Sequence, residues 1–149
     1  MLPEAMQLIG KLVYERIRGR VSAVGGLTMG ADPIACAVAY TSALRKDPIA
    51  AFSVRKEAKT HGMQRSVEGA VRPKARVAVV EDVTTSGASS LQAIARLREE
   101  GFRIERVVVL VDREEGGLER IAEAVGSRRV SAVFRRSEID AVWRSLRRR

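Results

Sequence analysis

At 149 residues, 46% of them hydrophobic and 30% charged, the chain has the size and balance of one globular domain with a proper core. No apolar run approaches the roughly 18 residues needed to cross a bilayer, the N-terminal MLPEAMQLIGKLVYERIRGR lacks the unbroken apolar core of an export signal, and a single cysteine, Cys36, excludes an internal disulfide and suits a reducing cytosol. The 27 Lys and Arg against 18 Asp and Glu leave +9, which asks for an anionic partner; with aromatics at 4% and no helix-turn-helix, zinc-finger or stacking-sheet signature, nucleic acid is disfavoured and a phosphorylated metabolite fits.

Met6, Ile9, Leu12, Val13 and Ile17 recur at helical spacing, Pro3 suits a first turn and Gly19 a stop, so residues 3 to 18 read as a helix. Val21 to Val24 reads as a short strand ending in the corner GGLTMGADP, with Asp32 as cap and Pro33 as first-turn residue of a helix through IACAVAYTSALR. Cys36 on that helix reads as a small buried thiol. Ile49 to Val54 reads as a strand, and RKEAKTHGMQRSVEG, without a clear period, as a mobile loop. The pattern then repeats: strand Val77 to Val80, the corner EDVTTSGAS, a helix from about Ser89 to Glu100, a Gly101 stop and strand Ile104 to Val111. After DREEGG come a short helix near Leu118 to Val125, a strand near Val130 to Phe134 and a helix from Ser137 to Leu146. On that last helix Trp143 and its aliphatic neighbours read as packing, and Arg147, Arg148 and Arg149 as a solvated end. Apolar runs alternating with helices predict an α/β fold, a doubly wound, mostly parallel sheet with helices on both faces.

In such a sheet ligands sit beyond the carboxyl ends of the strands, so Glu81 and Asp82 emerge at the functional rim. Thr84, Thr85, Ser86, Gly87, Ala88 and Ser89, opening a helix, offer hydroxyls and successive backbone N–H groups to an anion. The loop lacks the lysine and spacing of GxxxxGK[ST] and the order GxGxxG. Two acids ahead of a phosphate cradle suit a sugar phosphate, the carboxylates accepting hydrogen bonds from adjacent ribose hydroxyls. Read alone, Arg113 is either a rim charge or a ligand for a planar carboxylate, and Lys56 and Lys59 are either solvated charge or anion ligands.

EDVTTSGAS resembles the phosphoribosyl pyrophosphate signature of the type I phosphoribosyltransferases. RKEAKTHGMQRSVEG is similar to the mobile catalytic loop of orotate phosphoribosyltransferases, VDREEGG to the segment after their next strand, and GGLTMGADP to the pyrophosphate-binding loop of one branch. The resemblance implies a single phosphoribosyltransferase domain over residues 1–149 that makes orotidine 5′-monophosphate. It implies that Glu81 and Asp82 hold the ribose 2′ and 3′ hydroxyls, and that Val83, Thr84, Thr85, Ser86, Gly87, Ala88 and Ser89 wrap the 5′-phosphate. Arg55, Lys56, Lys59 and His61 would neutralise pyrophosphate, and the corner Gly25 to Gly30, with Leu27, Thr28 and Met29, would present backbone amides to it. Thr85 and Arg113 would meet orotate. Lys56, Lys59, His61 and Asp82 are the expected catalytic set. Mg²⁺ is the implied cofactor, bound mainly through the substrate, and a cytoplasmic homodimer with a shared active-site loop the implied assembly.

The match begins some way inside the family's usual sequence. The portion without a counterpart, an N-terminal hood, supplies in the family a lysine and aromatic residues that cover orotate; the corner GGLTMG also lacks a lysine that some relatives carry there. Two further readings stand beside this one: a phosphoribosyltransferase for another base, and a non-catalytic RNA-binding regulator on the same fold.

Overall fold

The computed structural model of the protein describes residues 2–56 and 66–147. The chain runs α1 (Pro3–Ile17), β1 (Ala23–Leu27), α2 (Ala31–Leu44), β2 (Ala50–Val54), β3 (Val67–Gly69), β4 (Arg76–Thr84), α3 (Ala88–Glu99), β5 (Arg103–Asp112), α4 (Gly117–Val125), a 3₁₀ turn (Ser127–Arg129), β6 (Val130–Arg135) and α5 (Arg136–Leu146). Six strands form one sheet in the order β3-β2-β1-β4-β5-β6. Every neighbouring pair is parallel except β2 with β3.

Strand alternation divides the core in two. On β4, Ala78 and Val80 face one side with Val13 and Ile17 of α1 and Ile34 and Val38 of α2. Val77 and Val79 face the other with Ala93, Ile94 and Leu97 of α3 and Ile121 of α4. A strand covered on both faces has no polar side, which is why VAVV carries no alternation in its letters. Among the described residues no helix is long and apolar enough to cross a membrane.

Several expectations change. Strand β1 extends through Gly25, Gly26 and Leu27, which the sequence assigns to a loop. Glycine is a poor strand former in general, but a Cβ at Gly25 would lie 2.0 Å from Phe52 O, and one at Gly26 2.2 Å from Val80 O, so here the close packing of three strands requires it. Helix α2 is entered from Gly30 without a side-chain cap; the Asp32 carboxylate instead accepts a 2.7 Å hydrogen bond from Ser53 Oγ. Cys36 is exposed, because it sits on the outward side of α2. Trp143 and Val142 are exposed as well, and no α5 residue is buried. That helix is held instead by its first turn, where Glu114 accepts from Ser137 N at 2.8 Å and Ser137 Oγ at 3.0 Å. Finally, Val67–Gly69 is not loop: β3 is a short antiparallel strand on the edge of the sheet.

Leu97 is fully buried between α3 and the sheet. Leu97→Ala is expected to cost about 3 kcal/mol of unfolding free energy, the usual range for a leucine whose cavity cannot collapse, read as a lower urea midpoint with an unchanged slope.

Candidate active site

Adjacent strands whose following helices lie on opposite faces leave a crevice between them. Here β1 leads to α2 on one face and β4 to α3 on the other. Their pairing stops at Gly25↔Val79, while β4 stays paired with β5 as far as Thr84↔Asp112. The last five residues of β4 therefore line an opening on the β1 side.

Glu81 and Asp82 stand in that opening, and strand alternation sends them opposite ways. Glu81 is buried on the α3 side and accepts a 3.2 Å hydrogen bond from Ser90 Oγ. Burial pushes its carboxyl up to about 7; neighbouring Asp82 adds to the rise, while Ser90 and the Lys56 ammonium oppose it. Asp82 is exposed and turned toward the β1–α2 corner. A Cβ at Gly30 would sit 2.7 Å from Asp82 Oδ1, so only glycine leaves that carboxylate its place. One acid is thus half protonated near neutral pH and the other faces solvent.

Beyond the acids, Glu81 and Val83 to Ser89 line a cleft of about 50 Å³. Gly87, with φ of 80°, makes the turn into α3 that an L side chain would resist. The amides that open α3 face the same cleft as its dipole's positive end, a natural seat for a phosphate. Thr84 Oγ1 is fully buried and finds no hydrogen-bond partner among the described residues, an orphaned hydroxyl beside the cradle. Two larger grooves, about 550 and 700 Å³, lie against α1–α2 and beneath Pro48 and Pro73, and neither holds the acids or the hydroxyl loop.

The remaining expected residues are arranged around this opening. Lys56 is exposed and close enough to bias Glu81. The Arg55 guanidinium is paired with Glu68, Nη2 to Oε1 at 2.6 Å. Lys59 and His61 lie outside the described residues. Arg113 follows β5, its amide donating to Thr84 O at 3.0 Å and its guanidinium meeting Glu115 at 3.1 Å, both side chains well exposed at the rim. Of the glycine-rich corner, Gly25 to Leu27 belong to β1, the Thr28 amide donates to Val54 O at 2.8 Å, the Thr28–Met29 peptide is cis, and Met29 is exposed. Gly30, which lies against Asp82, is the part of this corner at the crevice.

Sequence reasoning missed the residues that hold this frame. Arg96 on α3 donates to Arg55 O and Lys56 O, and Gln92 to Lys56 O at 3.2 Å. One helical turn on, Glu100 Oε1 accepts from Ser66 N at 2.7 Å and Ser66 Oγ at 2.6 Å. Helix α3 and its capping residue Glu100 therefore fasten the chain on both sides of residues 57–65. Arg120 on α4 donates to Ser86 O at 2.7 Å, bracing the cradle from below. In the letters these are ordinary polar positions on the outer faces of amphipathic helices, and only the tertiary fold gives them partners.

No protein-family model matches the chain. The orotate phosphoribosyltransferase of Aquifex aeolicus is 52% identical over 120 residues, 80% of this chain and 66% of that protein. That of Rhodopseudomonas palustris (strain BisB5) is 46% identical over 127 residues, 82% of this chain and 68% of that protein. The matched stretch thus spans about two thirds of the length of these curated relatives. Among solved structures, Mycobacterium tuberculosis orotate phosphoribosyltransferase in complex with 5-phospho-α-D-ribosyl 1-diphosphate superposes with a TM-score of 0.77 at 38% identity, covering 89% of this chain and 74% of that one.

The raised Glu81 carboxyl links folding to pH. From about pH 4.5 to 7 the folded protein keeps a proton that the unfolded chain has released, so the stability attached to this group falls as pH rises through that window and is flat above it. Glu81→Gln is expected to lack that slope and, at pH 8, to be more stable than the parent by on the order of 2 to 3 kcal/mol, as read by urea denaturation of both proteins across the pH range.

Proposed function

The chain belongs to the orotate phosphoribosyltransferase family, and we propose that it transfers the 5-phosphoribosyl group of phosphoribosyl pyrophosphate to orotate, giving orotidine 5′-monophosphate and pyrophosphate in pyrimidine nucleotide synthesis. The observation that carries this reading is the placement of Glu81 and Asp82 at the parting of β1 and β4, directly ahead of the cleft formed by Val83 to Ser89.

The roles follow from the chemistry of those groups. The 5′-phosphate takes the amides and hydroxyls of Thr84 to Ser89. Glu81, near half protonation at neutral pH, can accept from or donate to one ribose hydroxyl, and the Asp82 carboxylate accepts from the other. Bond breaking at the anomeric carbon sends the electron pair out with pyrophosphate as a ring nitrogen of orotate forms the new bond, so cations must meet the departing anion. Lys56, the amides from Met29 to Ala31 and, in the stretch between residues 56 and 66, Lys59 and His61 supply that need. Arg55 would join them by exchanging Glu68 for the anion. Thr85 and Arg113 address orotate, the guanidinium pairing in two-pronged fashion with its carboxylate.

Among the described residues no three His, Cys, Asp or Glu side chains converge as a metal cage. This donor set suits magnesium carried on substrate oxygens, with Asp82 the carboxylate placed to meet it. The ion would supply charge neutralisation for pyrophosphate. We assign the working unit as a cytoplasmic homodimer in which part of the Arg55 to Gly69 segment reaches the neighbouring site, with residues 1–149 acting as one phosphoribosyltransferase domain.

Mixing the protein with Mg²⁺, phosphoribosyl pyrophosphate and orotate should consume orotate absorbance. Asp82→Asn is expected to weaken phosphoribosyl pyrophosphate binding about tenfold or more by calorimetry, the loss of a charge-assisted hydrogen bond. Failure of the parent protein to take up this substrate would overturn the assignment. Arg113→Ala should lower kcat/KM for orotate ten- to a hundredfold while leaving phosphoribosyl pyrophosphate affinity unchanged; an equal rate with orotate in that variant would overturn the pairing of Arg113 with the carboxylate.

A further inference from the structure

The opposite end of the sheet, where the parallel strands begin, carries a row of arginines that the transfer reaction does not use. Strand β4 is nine residues long, so this end lies about 25 Å from the cradle. Arg20 precedes β1, Arg76 opens β4, Arg103 and Arg106 lie at the start of β5, and Arg128 and Arg129 form the turn into β6. These four strands are consecutive in the sheet, and at about 4.8 Å per strand the row is about 15 Å long. Arg76 and Arg103 are direct register partners.

A register shift builds the centre of the row. Val77 pairs with Ile104 but Ala78 pairs with Arg106, so Glu105 is an extra residue on β5. The bulge moves Arg106 to the face of Ala78, the side on which α1 packs and Arg20 follows. Arg20 and Arg129 both stand near the half-buried Arg106, and desolvation, then Arg20, lower its guanidinium's proton affinity, with Glu105 as the one opposing charge. Among the described residues none of the six arginines is in an ion pair within 4.0 Å. Five of the six are exposed.

Helix carboxyl ends attract cations, and the helices that precede β1, β5 and β6 end on this side. That accounts for Arg98, which donates to Ala124 O near the end of α4. It does not account for the centre of the row, where Arg106 donates to Glu105 O at 2.7 Å and Arg129 to Ile104 O at 3.1 Å, and where neither meets a carboxylate within 4.0 Å among the described residues. One phosphate would satisfy two guanidiniums, whereas a straight row across four strands suits a chain of them. On a free single strand, whose phosphates are spaced more widely than the about 3.4 Å per charge of a duplex axis, about two or three phosphates fall within this length. Phe102, the aromatic beside Arg103, packs against the core and leaves no stacking platform in the row.

We infer that the strand-start end of this sheet is a second binding surface, for the phosphodiester backbone of single-stranded nucleic acid, held by Arg20, Arg106 and Arg129 with Arg76, Arg103 and Arg128 extending it. Recognition there is indifferent to sequence, because the surface offers guanidiniums to phosphates and nothing to bases.

The test uses a fluorescein-labelled single-stranded oligothymidylate and the full chain, with anisotropy recorded between about 50 and 200 mM salt. The parent should bind with a dissociation constant of about 10⁻⁴ to 10⁻⁶ M, and its logarithm should vary with log salt by about 0.7 per phosphate engaged. The triple variant Arg20→Gln, Arg106→Gln, Arg129→Gln should bind at least tenfold more weakly at low salt, with the slope reduced by about 2. Because Arg106 is half-buried, the exposed pair Arg103→Glu, Arg128→Glu serves as a second variant expected to move affinity in the same direction with an unchanged thermal midpoint. Saturating phosphoribosyl pyrophosphate should leave binding as it was. Absence of binding at low salt, parental affinity and slope in both variants, or displacement by phosphoribosyl pyrophosphate would each overturn the proposal.

Discussion

The organisation of this molecule depends on the parting of two parallel strands. While β1 and β4 run together they are ordinary sheet, closely packed around Gly25 and Gly26. Past Val79 the first turns away toward α2 and the second continues along β5. Everything chemical follows from that divergence. Two consecutive carboxylates emerge at the same height, one sunk against α3 and one facing the corner across the gap. The helix that follows presents its amino end to the cleft on the Glu81 side.

Burying an acid is unfavourable, and here the cost is specific. Glu81 is nearly covered, has a single hydroxyl partner in Ser90, and lies next to a second carboxylate. A glutamine or an aliphatic residue would suit the strand better on stability grounds alone. Thr84 Oγ1, buried without a partner among the described residues, belongs to the same pattern of unsatisfied polar groups gathered at one strand end. Such groups are weakly compensated within the protein and therefore available to a ligand rich in oxygens, which is how a site retains binding energy that a well-satisfied core would have consumed.

The order of elements was legible in the sequence because each carries its own periodicity or punctuation. The apolar run Val77 to Val80, the stop at Gly101 and the amphipathic face of Met6, Ile9, Val13 and Ile17 all needed only local information. The corner Thr84 to Ser89 was legible for a similar reason, since hydroxyls and glycine at a strand-to-helix turn have a direct meaning for anions. What stayed hidden depends on distant neighbours. Gly25 and Gly26 read as a loop until three strands are seen converging on them. Cys36 and Trp143 carry no mark of facing outward. Arg96, Glu100 and Arg120 are legible as surface charge, and their partners at residues 55, 56, 66 and 86 are set by the packing of α3 and α4 alone.

The fastening by α3 separates two design problems. Arg96 in the last turn of α3 grips the backbone at Arg55 and Lys56, and Glu100, the residue that caps α3, grips it at Ser66, four positions further along the chain. The two anchor points are thereby fixed independently of whatever joins them. The hydrogen bonds at the two anchors and the pairing of β2 with β3 are made by residues outside 57–65. What constrains Lys59 and His61, between these anchors, is therefore the proposed chemistry and not the scaffold beneath, whose own hydrogen bonds at residues 55, 56 and 66 do not pass through them.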